Sequence, residues 1–183
     1  MPFTPITIQT ERLTLRWFES DDAAALFALF SDPEVVRYWS SPEWDDVAHA
    51  QTMIDETIAG YESGEGIRLA VVLTASGEFI GQIKLHHMFA SNRRCEVGYA
   101  LARSHWGKGY AMEAIQAALD YAFGPLNLNR IEADIDPRNE ASEKILTRLG
   151  FIREGYMRER WIINGEVSDT AYYGLLKSDW EAR

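Results

Sequence analysis

A glycine-containing loop that runs directly into a helix is the feature that most constrains this chain. The segment 103–121 reads Arg-Ser-His-Trp-Gly-Lys-Gly-Tyr-Ala-Met-Glu-Ala-Ile-Gln-Ala-Ala-Leu-Asp-Tyr. Its second half carries apolar residues at helical spacing on one face, namely Ala111, Ile115, Ala118, Leu119 and Ala122. Glycines let a backbone approach a ligand closely, and a helix N-terminus offers unpaired N–H groups with a partial positive charge. The segment predicts either a diphosphate-binding loop or a glycine loop that merely begins a helix.

The segments on either side favour the ligand-binding interpretation. Residues 95–101 alternate like a β-strand, so the loop joins a strand to a helix. A second strand, 131–135, and a second helix, which begins at Asn139, follow it. The sequence therefore contains two strand–helix units, and the loop lies at the turn of the first.

The ordered set of these segments resembles the GNAT superfamily of acyl-CoA-dependent N-acetyltransferases. The resemblance rests on Trp-Gly-Lys-Gly-Tyr-Ala-x-Glu-Ala at 106–114, Pro-x-Asn-x-x-Ser at 137–142 and Leu-Gly-Phe at 149–151. Within the superfamily the chain looks most like the RimJ/RimL branch, typified by ribosomal-protein-alanine N-acetyltransferases. The resemblance implies a mixed α/β fold: a twisted, mostly antiparallel central sheet of about seven strands with helices on both faces. It also implies that the strand ending at Leu101 and the one starting near Arg130 splay apart around the acyl chain.

Length and composition are compatible with one such domain over residues 1–183. The net charge of −10 disfavours nucleic acid and anionic membranes as partners, because phosphates would be repelled. The single cysteine, Cys95, excludes an internal disulfide and a cysteine-rich zinc site, and its place within a strand favours a buried thiol. With no apolar run of membrane-span length and no signal-peptide pattern, we expect a cytoplasmic enzyme. A homodimer is compatible with the sequence but is not required by it.

The remaining elements follow from periodicity and turn residues. Residues 1–9 are interpreted as a lead-in, and residues 10–17 as a half-buried strand. Ser20 is expected to cap a helix that runs to Phe30. A second helix is expected to start at a capping box over Ser40–Glu43, or with Ser41 as its cap, and to end near Gly64.

Three β-hairpin or meander segments complete the sequence-based prediction. Residues 67–74 and 78–89 are expected to pair across the turn at 75–77, and 93–101 to extend that meander. Asn164-Gly165 predicts a tight hairpin between the strands 151–163 and 167–176.

The resemblance implies that acetyl-CoA is the cosubstrate and that the glycine loop binds its diphosphate. The predicted cofactor-binding residues are Leu101, Trp106, Gly107, Lys108, Gly109, Tyr110, Ala111 and Asn139. Basic side chains at 138, 144 and 148 are candidates for added phosphate contacts; the alternative is a solvated basic face.

Two residues are predicted to move protons. The resemblance assigns protonation of the departing thiolate to Ser142; the alternative is that Ser142 only helps to cap its helix. Glu96 is the candidate base, because it shares a strand face with the small residues Gly98 and Ala100. The alternative is a surface glutamate paired with Arg94 or Lys84. Asp134, on the facing strand, is a weaker candidate for the base.

Aromatic residues of the first helical region and the last hairpin are predicted to line the acceptor site: Tyr38, Trp39 and Trp161, with Trp44, Arg160 and Tyr172 as further candidates. His86 and His87 are adjacent in a strand, so we expect them to point to opposite faces and no metal site to form. The predicted acceptor is a primary amine, first of all the α-amino group of a protein or peptide. The alternatives are a small amine, such as a polyamine, amino acid or amine antibiotic, and a non-catalytic acyl-CoA-binding module.

Overall fold

The computed structural model describes residues 3–183, and its centre is an eight-stranded sheet. The strands in chain order are β1 (Thr7–Gln9), β2 (Leu13–Trp17), β3 (Ile67–Leu73), β4 (Phe79–Phe89), β5 (Arg94–Leu101), β6 (Arg130–Ile135), β7 (Ile152–Ile163) and β8 (Glu166–Leu176). Their order in the sheet is β1-β2-β3-β4-β5-β6-β8-β7. Every neighbouring pair is antiparallel except β5–β6, which is parallel. The mixed, mostly antiparallel sheet expected from the sequence is therefore confirmed.

Within residues 3–183, six α-helices pack around this sheet: α1 (Ala23–Phe30), α2 (Pro33–Val36), α3 (Ala48–Ser63), α4 (Tyr110–Phe123), α5 (Glu140–Arg148) and α6 (Lys177–Glu181). Alternating strand residues divide between two cores. Leu69 and Val71 of β3 join the core beneath α4 and α5, whereas Ala70 joins the core beneath α1 to α3. Helices thus cover both faces, as expected. No helix within residues 3–183 combines the length and apolar content needed to cross a bilayer.

The parallel pair β5–β6 stays together for only three residue pairs. Arg94, Cys95 and Glu96 pair with Arg130, Ile131 and Glu132, and the two strands separate beyond that point. An opening in the centre of the sheet results, and it connects the face covered by α4 and α5 with the face covered by α1 to α3. The predicted splay between these two strands is therefore present.

The first strand was missing from the sequence-based prediction. Thr7–Gln9, assigned to a lead-in, pairs antiparallel with residues 14–16 and brings the number of strands to eight instead of about seven. A three-residue edge strand is too short to show a period of two. Met1 and Pro2, also assigned to the lead-in, lie outside the described residues.

Both predicted helix starts in the N-terminal third were wrong. Residues 20–22 form a 3₁₀ turn ahead of α1, and the carboxylate of Asp22 accepts the Glu19 N–H at 2.9 Å, so Ser20 is not the cap. The helix expected from Ser40–Glu43 begins only at Ala48, whose N–H is bound by Asp46 at 2.9 Å. In both stretches an aspartate, Asp22 or Asp46, makes the local contact that the sequence analysis assigned to a serine.

The later turns agree with the prediction. Gly64 ends α3 in a left-handed conformation. Gly77 has a positive φ in the turn between β3 and β4. Asn164 and Gly165 have φ values of 50° and 82° in the two-residue turn between β7 and β8.

Candidate active site

The loop between β5 and α4 has the backbone conformation expected of an anion site. Gly107 and Gly109 have φ values of 73° and 83°, a conformation that residues with a side chain rarely adopt. Gly109 directly precedes α4. Five successive backbone N–H groups donate no hydrogen bond to any other described residue: those of Gly107, Lys108, Gly109, Tyr110 and Ala111. Free N–H groups at a helix N-terminus fit a diphosphate, as the sequence predicted.

Arg12, near the N-terminus of the chain, holds this loop in place by hydrogen bonds. The sequence analysis did not predict that contact. Arg12 Nη1 donates to the carbonyl oxygen of Lys108 at 2.9 Å, and Arg12 Nε donates to Glu113 at 2.7 Å. Burial raises the pKa of Glu113, but the hydrogen bonds from Thr10 and Arg12 outweigh it, so the net pKa is lowered. Glu113 lies in the first turn of α4, where its charge would otherwise repel a diphosphate. The Arg12 partnership offsets that charge.

Trp106 joins the loop to the end of β5. Its indole Nε1 donates to the Leu101 carbonyl oxygen at 2.7 Å, while almost half of the residue, 47%, stays exposed. Leu101 itself is buried. The indole hydrogen bond therefore ties the predicted cofactor residues Leu101 and Trp106 together.

A short hydrogen bond joins β5 to α5 beside this opening. The hydroxyl of Tyr99 and that of Ser142 are 2.6 Å apart, and Ser142 is buried. Burial raises the pKa of Tyr99 to about 12, against a smaller lowering by the Ser142 hydrogen bond. Strand alternation places Tyr99 opposite Glu96, on the face of β5 that packs into the core. Its ring does pack there, but its hydroxyl is a polar group that alternation alone cannot locate.

Asn139 caps α5 without using the Ser142 side chain. The Asn139 Oδ1 accepts the backbone N–H of Ser142 at 3.1 Å. The hydroxyl of Ser142 is thereby left to its contact with Tyr99. The alternative in which the Ser142 side chain serves only as a cap has no support from these contacts.

Glu96 faces the other side of the opening, and its partner is a histidine. His87 Nδ1 lies 3.2 Å from Glu96 Oε2. Neither predicted alternative partner is used: Arg94 pairs with Glu132 at 2.6 Å, and Lys84 has no ion pair with Glu96. The Lys84 side chain fills the space above Gly98, because a Cβ built there would approach Lys84 Cε to 2.6 Å.

The expectation that His86 and His87 point to opposite faces is wrong. His86 pairs with Glu96 and Phe89 pairs with Arg94, so β4 contains one more residue than β5 between these pairs. This β-bulge, with His87 at a φ of 50°, turns both imidazoles to the same side. Burial and the nearby Lys84 charge lower the pKa of His86 to about 3.

Lys84 is a half-buried amine within the same cleft. Burial and the charge of Arg68 lower its pKa to about 8. Its Nζ lies 5.7 Å from the centre of the Trp39 ring. The sequence did not single out Lys84 as a cleft residue, because the register that places it over Gly98 is a tertiary feature.

The cleft has a volume of about 340 Å³ and is lined from four parts of the chain. The predicted acceptor residues Tyr38, Trp39 and Trp161 all border it, as does Arg160. Trp44 instead packs against Phe30. Four carboxylates line it, those of Glu96, Asp134, Asp136 and Asp169, together with the cations of Lys84 and Arg160. Its lining is thus more acidic than basic, which suits a cationic acceptor.

The basic side chains proposed for phosphate contacts are mostly occupied. Arg138 pairs with Asp136 and with Glu166, on the acceptor side of the cleft. Lys144 pairs with Glu140 at 3.0 Å within α5. The free backbone N–H groups of the 107–111 loop, by contrast, have no partner among the described residues.

Comparisons with known proteins agree with this geometry. Residues 12–152 match the family model described as an acetyltransferase (GNAT) domain. The uncharacterized N-acetyltransferase p20 of Bacillus licheniformis is 40% identical over 174 residues, which cover 95% of this chain and 98% of that protein. The Bacillus subtilis protein YdaF, provisionally named a ribosomal N-acetyltransferase, is 32% identical over 176 residues, which cover 93% and 94% of the two chains.

A solved structure extends the likeness to the fold. The spermidine N-acetyltransferase of Vibrio cholerae, in complex with CoA and spermine, superposes with a TM-score of 0.85 at 26% identity, covering 94% of this chain and 99% of that one. The fold, the glycine loop and the family match agree. The chain therefore belongs to the GNAT acetyltransferase family, within its RimJ/RimL-like branch, and is an N-acetyltransferase.

Proposed function

We propose that this N-acetyltransferase transfers the acetyl group of acetyl-CoA directly to a primary amine, and that its first acceptor class is the α-amino group of a protein or peptide. The observation that carries this proposal is the opening between β5 and β6. Ser142 and the free N–H groups of the 107–111 loop lie on one side of it, and Glu96 lies on the other. Cofactor and acceptor would enter from opposite faces and meet at the gap, so no covalent enzyme intermediate is needed.

Glu96 is the proposed base. Only a neutral amine can attack a thioester, so the acceptor ammonium must lose a proton, to the Glu96 carboxylate directly or through a water molecule. The contact with His87 Nδ1 orients that carboxylate. Asp134, which also lines the cleft, is the second candidate for the base.

Ser142 is the proposed donor of the proton that the departing thiolate takes up. A hydroxyl is a weak acid, and the 2.6 Å contact with Tyr99 offers a second hydroxyl from which Ser142 can recover its proton. Asn139 holds the backbone of Ser142 in place. The non-catalytic acyl-CoA-binding alternative leaves this buried pair of hydroxyls without a purpose.

The fraction of acceptor that is neutral at pH 7 favours the α-amino class. An α-amino group with a pKa of about 7.7–8.0 is neutral in roughly a tenth of molecules at pH 7, whereas a lysine-like amine near 10.4 is neutral in fewer than about one in a thousand. A carboxylate base that acts through a water molecule suits the α-amino class better, because a larger fraction of that acceptor is already neutral. The resemblance to ribosomal-protein acetyltransferases agrees with this choice.

A small polyamine is the second candidate acceptor, and the cleft itself supports it. Four carboxylates in a cavity of about 340 Å³ would attract a multiply charged cation. A relative of known structure is a spermidine N-acetyltransferase solved with CoA and spermine.

We also propose that residues 1–183 form one GNAT domain, since the sheet extends from Thr7 to Leu176.

Turnover against a matched panel of acceptors tests the proposal. Acetyl-CoA is supplied with peptides that have free or formylated N-termini, with spermidine, and with single amino acids, and free thiol is measured. We expect a higher kcat/KM for free N-terminal peptides than for spermidine, and none for formylated peptides that lack lysine. A higher value for spermidine would move the acceptor to the polyamine class. The absence of turnover with every amine, despite acetyl-CoA binding, would favour the binding-module alternative.

A further inference from the structure

The β-bulge in β4 brings together three metal-ligating side chains that strand alternation would keep apart. His86 lies on the same face as its partner Glu96, and the extra residue at His87 turns the second imidazole to that face as well. The left-handed φ of 50° at His87 is uncommon for a residue with a side chain, although histidine adopts it more readily than most. The bulge therefore has a defined consequence: two imidazoles and one carboxylate share one side of the cleft.

The spacing of their donor atoms approaches that of a metal site. One ligand atom from each of His86, His87 and Glu96 can be chosen so that all lie within 4.8 Å of one another. The His87–Glu96 pair is already at 3.2 Å. With Zn–N and Zn–O bonds near 2.0–2.1 Å, two ligands of a tetrahedral ion are about 3.3 Å apart. The remaining distances involve His86, and side-chain rotation of the half-buried His86 and the exposed His87 would close them.

We propose that His86, His87 and Glu96 form a binding site for a divalent transition-metal ion of the Zn²⁺ type. Two imidazoles with one carboxylate are donors that such ions prefer, whereas Mg²⁺ and Ca²⁺ favour all-oxygen sites. Lys84 lines the same cleft and would disfavour an ion held by charge alone. Three protein ligands leave the fourth position open to the cleft.

The consequence for turnover rests on the proposed function. If Glu96 is the base, an ion that takes its carboxylate removes the proton acceptor and occupies the place of the incoming amine. The ion is then an inhibitor that competes with the acceptor and leaves acetyl-CoA binding unchanged, because the 107–111 loop lies elsewhere. The binding of the ion itself does not depend on any of these roles.

A spectroscopic titration with Co²⁺ as the probe tests the site apart from catalysis. Tag-free protein is titrated with Co²⁺, and the visible ligand-field absorption of a four- or five-coordinate ion is recorded before and after addition of Zn²⁺. His86→Asn and His87→Asn are tested separately, and asparagine tolerates the φ at position 87. His49→Asn, which changes an exposed histidine of α3, is the matched control. Calorimetric titration of each variant with acetyl-CoA reports whether the cleft is intact.

We expect one Co²⁺ per chain, displaced by Zn²⁺, with an affinity that falls at least about tenfold in each cleft variant and is unchanged in His49→Asn. The site is refuted if wild-type protein binds no Co²⁺, or if binding survives both cleft substitutions. A loss in His49→Asn equal to that in the cleft variants would also refute it. Acetyl-CoA affinity is measured in the same samples, so failure of the metal site leaves the proposed enzymatic function untouched.

Discussion

The two sides of the opening in the sheet are built in different ways. On the side of α4, the proposed anion site consists of backbone N–H groups in a single loop, held by Arg12. On the side of α1 to α3, the proposed acceptor cleft consists of side chains that come from four distant parts of the chain. The first site depends on two glycine conformations, and the second depends on strand register and a bulge.

This difference separates binding of the cofactor, which is common to the family, from selection of the acceptor. A backbone site recognises a diphosphate that every acetyl-CoA carries, so it needs no particular side chains. An acceptor cleft made of side chains can change its partner by substitution while the scaffold is kept. The cleft also costs stability, because the half-buried Lys84 lies near the charge of Arg68.

The largest expected effect is on the acceptor side. Replacing Glu96 with Gln should lower kcat/KM at pH 7 on the order of 10²-fold to 10³-fold, because the base is lost. Raising the pH toward 9 should restore part of the rate, since more of the acceptor is then neutral. Rates are measured across pH for this variant and for Asp134→Asn. A pH-dependent loss in Asp134→Asn alone would transfer the role of the base to Asp134.

Ser142→Ala should lower kcat roughly 10²-fold, the range expected for loss of a general acid. The melting temperature should change little, because Asn139 caps α5 through the backbone N–H of residue 142. Tyr99→Phe should give a smaller loss of kcat, since it removes only the partner of the serine. Turnover and a melting curve are measured together. An unaltered kcat in Ser142→Ala would remove this residue from the mechanism.

Lys84→Met should stabilise the protein at pH 7 by an amount on the order of 3 kcal/mol. The native pKa is lowered from 10.5 to about 8, so the native state holds the Lys84 proton less tightly than the unfolded state. Wild-type stability from this group then rises with pH between about 8 and 10.5, and the gain from Lys84→Met shrinks over that range. Denaturant unfolding across pH measures this. Lys108→Met, on the exposed loop of the cofactor side, is the control and should show no gain.

The smallest expected effect separates two roles of Asn139. Asn139→Ala should reduce the free energy of unfolding by about 1 kcal/mol through loss of the cap, and Asn139→Asp should restore it. If the amide also binds the pantetheine of the cofactor, both variants should bind acetyl-CoA more weakly. Equal acetyl-CoA affinity in all three proteins would limit Asn139 to capping.

The loop could be predicted from the sequence more fully than the contacts of the cleft. The strand–loop–helix around Gly109 and the turn at Asn164-Gly165 carry their information locally, in residues whose φ is restricted. Ser142 and Glu96 were placed by resemblance and by alternation. The partner of each was missed, because the contacts of Tyr99 with Ser142 and of His87 with Glu96 depend on the splay and on the bulge. Arg12 lies almost a hundred residues before its loop, so no local pattern could join them.

Calorimetric titration of acetyl-CoA into wild-type, Gly109→Val and Glu96→Gln proteins tests the central claim most directly. The claim is that the cofactor is held by the loop backbone and the acceptor chemistry is separate. Gly165→Val imposes similar backbone strain in the distant hairpin turn and is the matched control. We predict at least about tenfold weaker binding in Gly109→Val and wild-type affinity in Glu96→Gln and Gly165→Val. Wild-type affinity in Gly109→Val, or weakened binding in Glu96→Gln, would contradict the account.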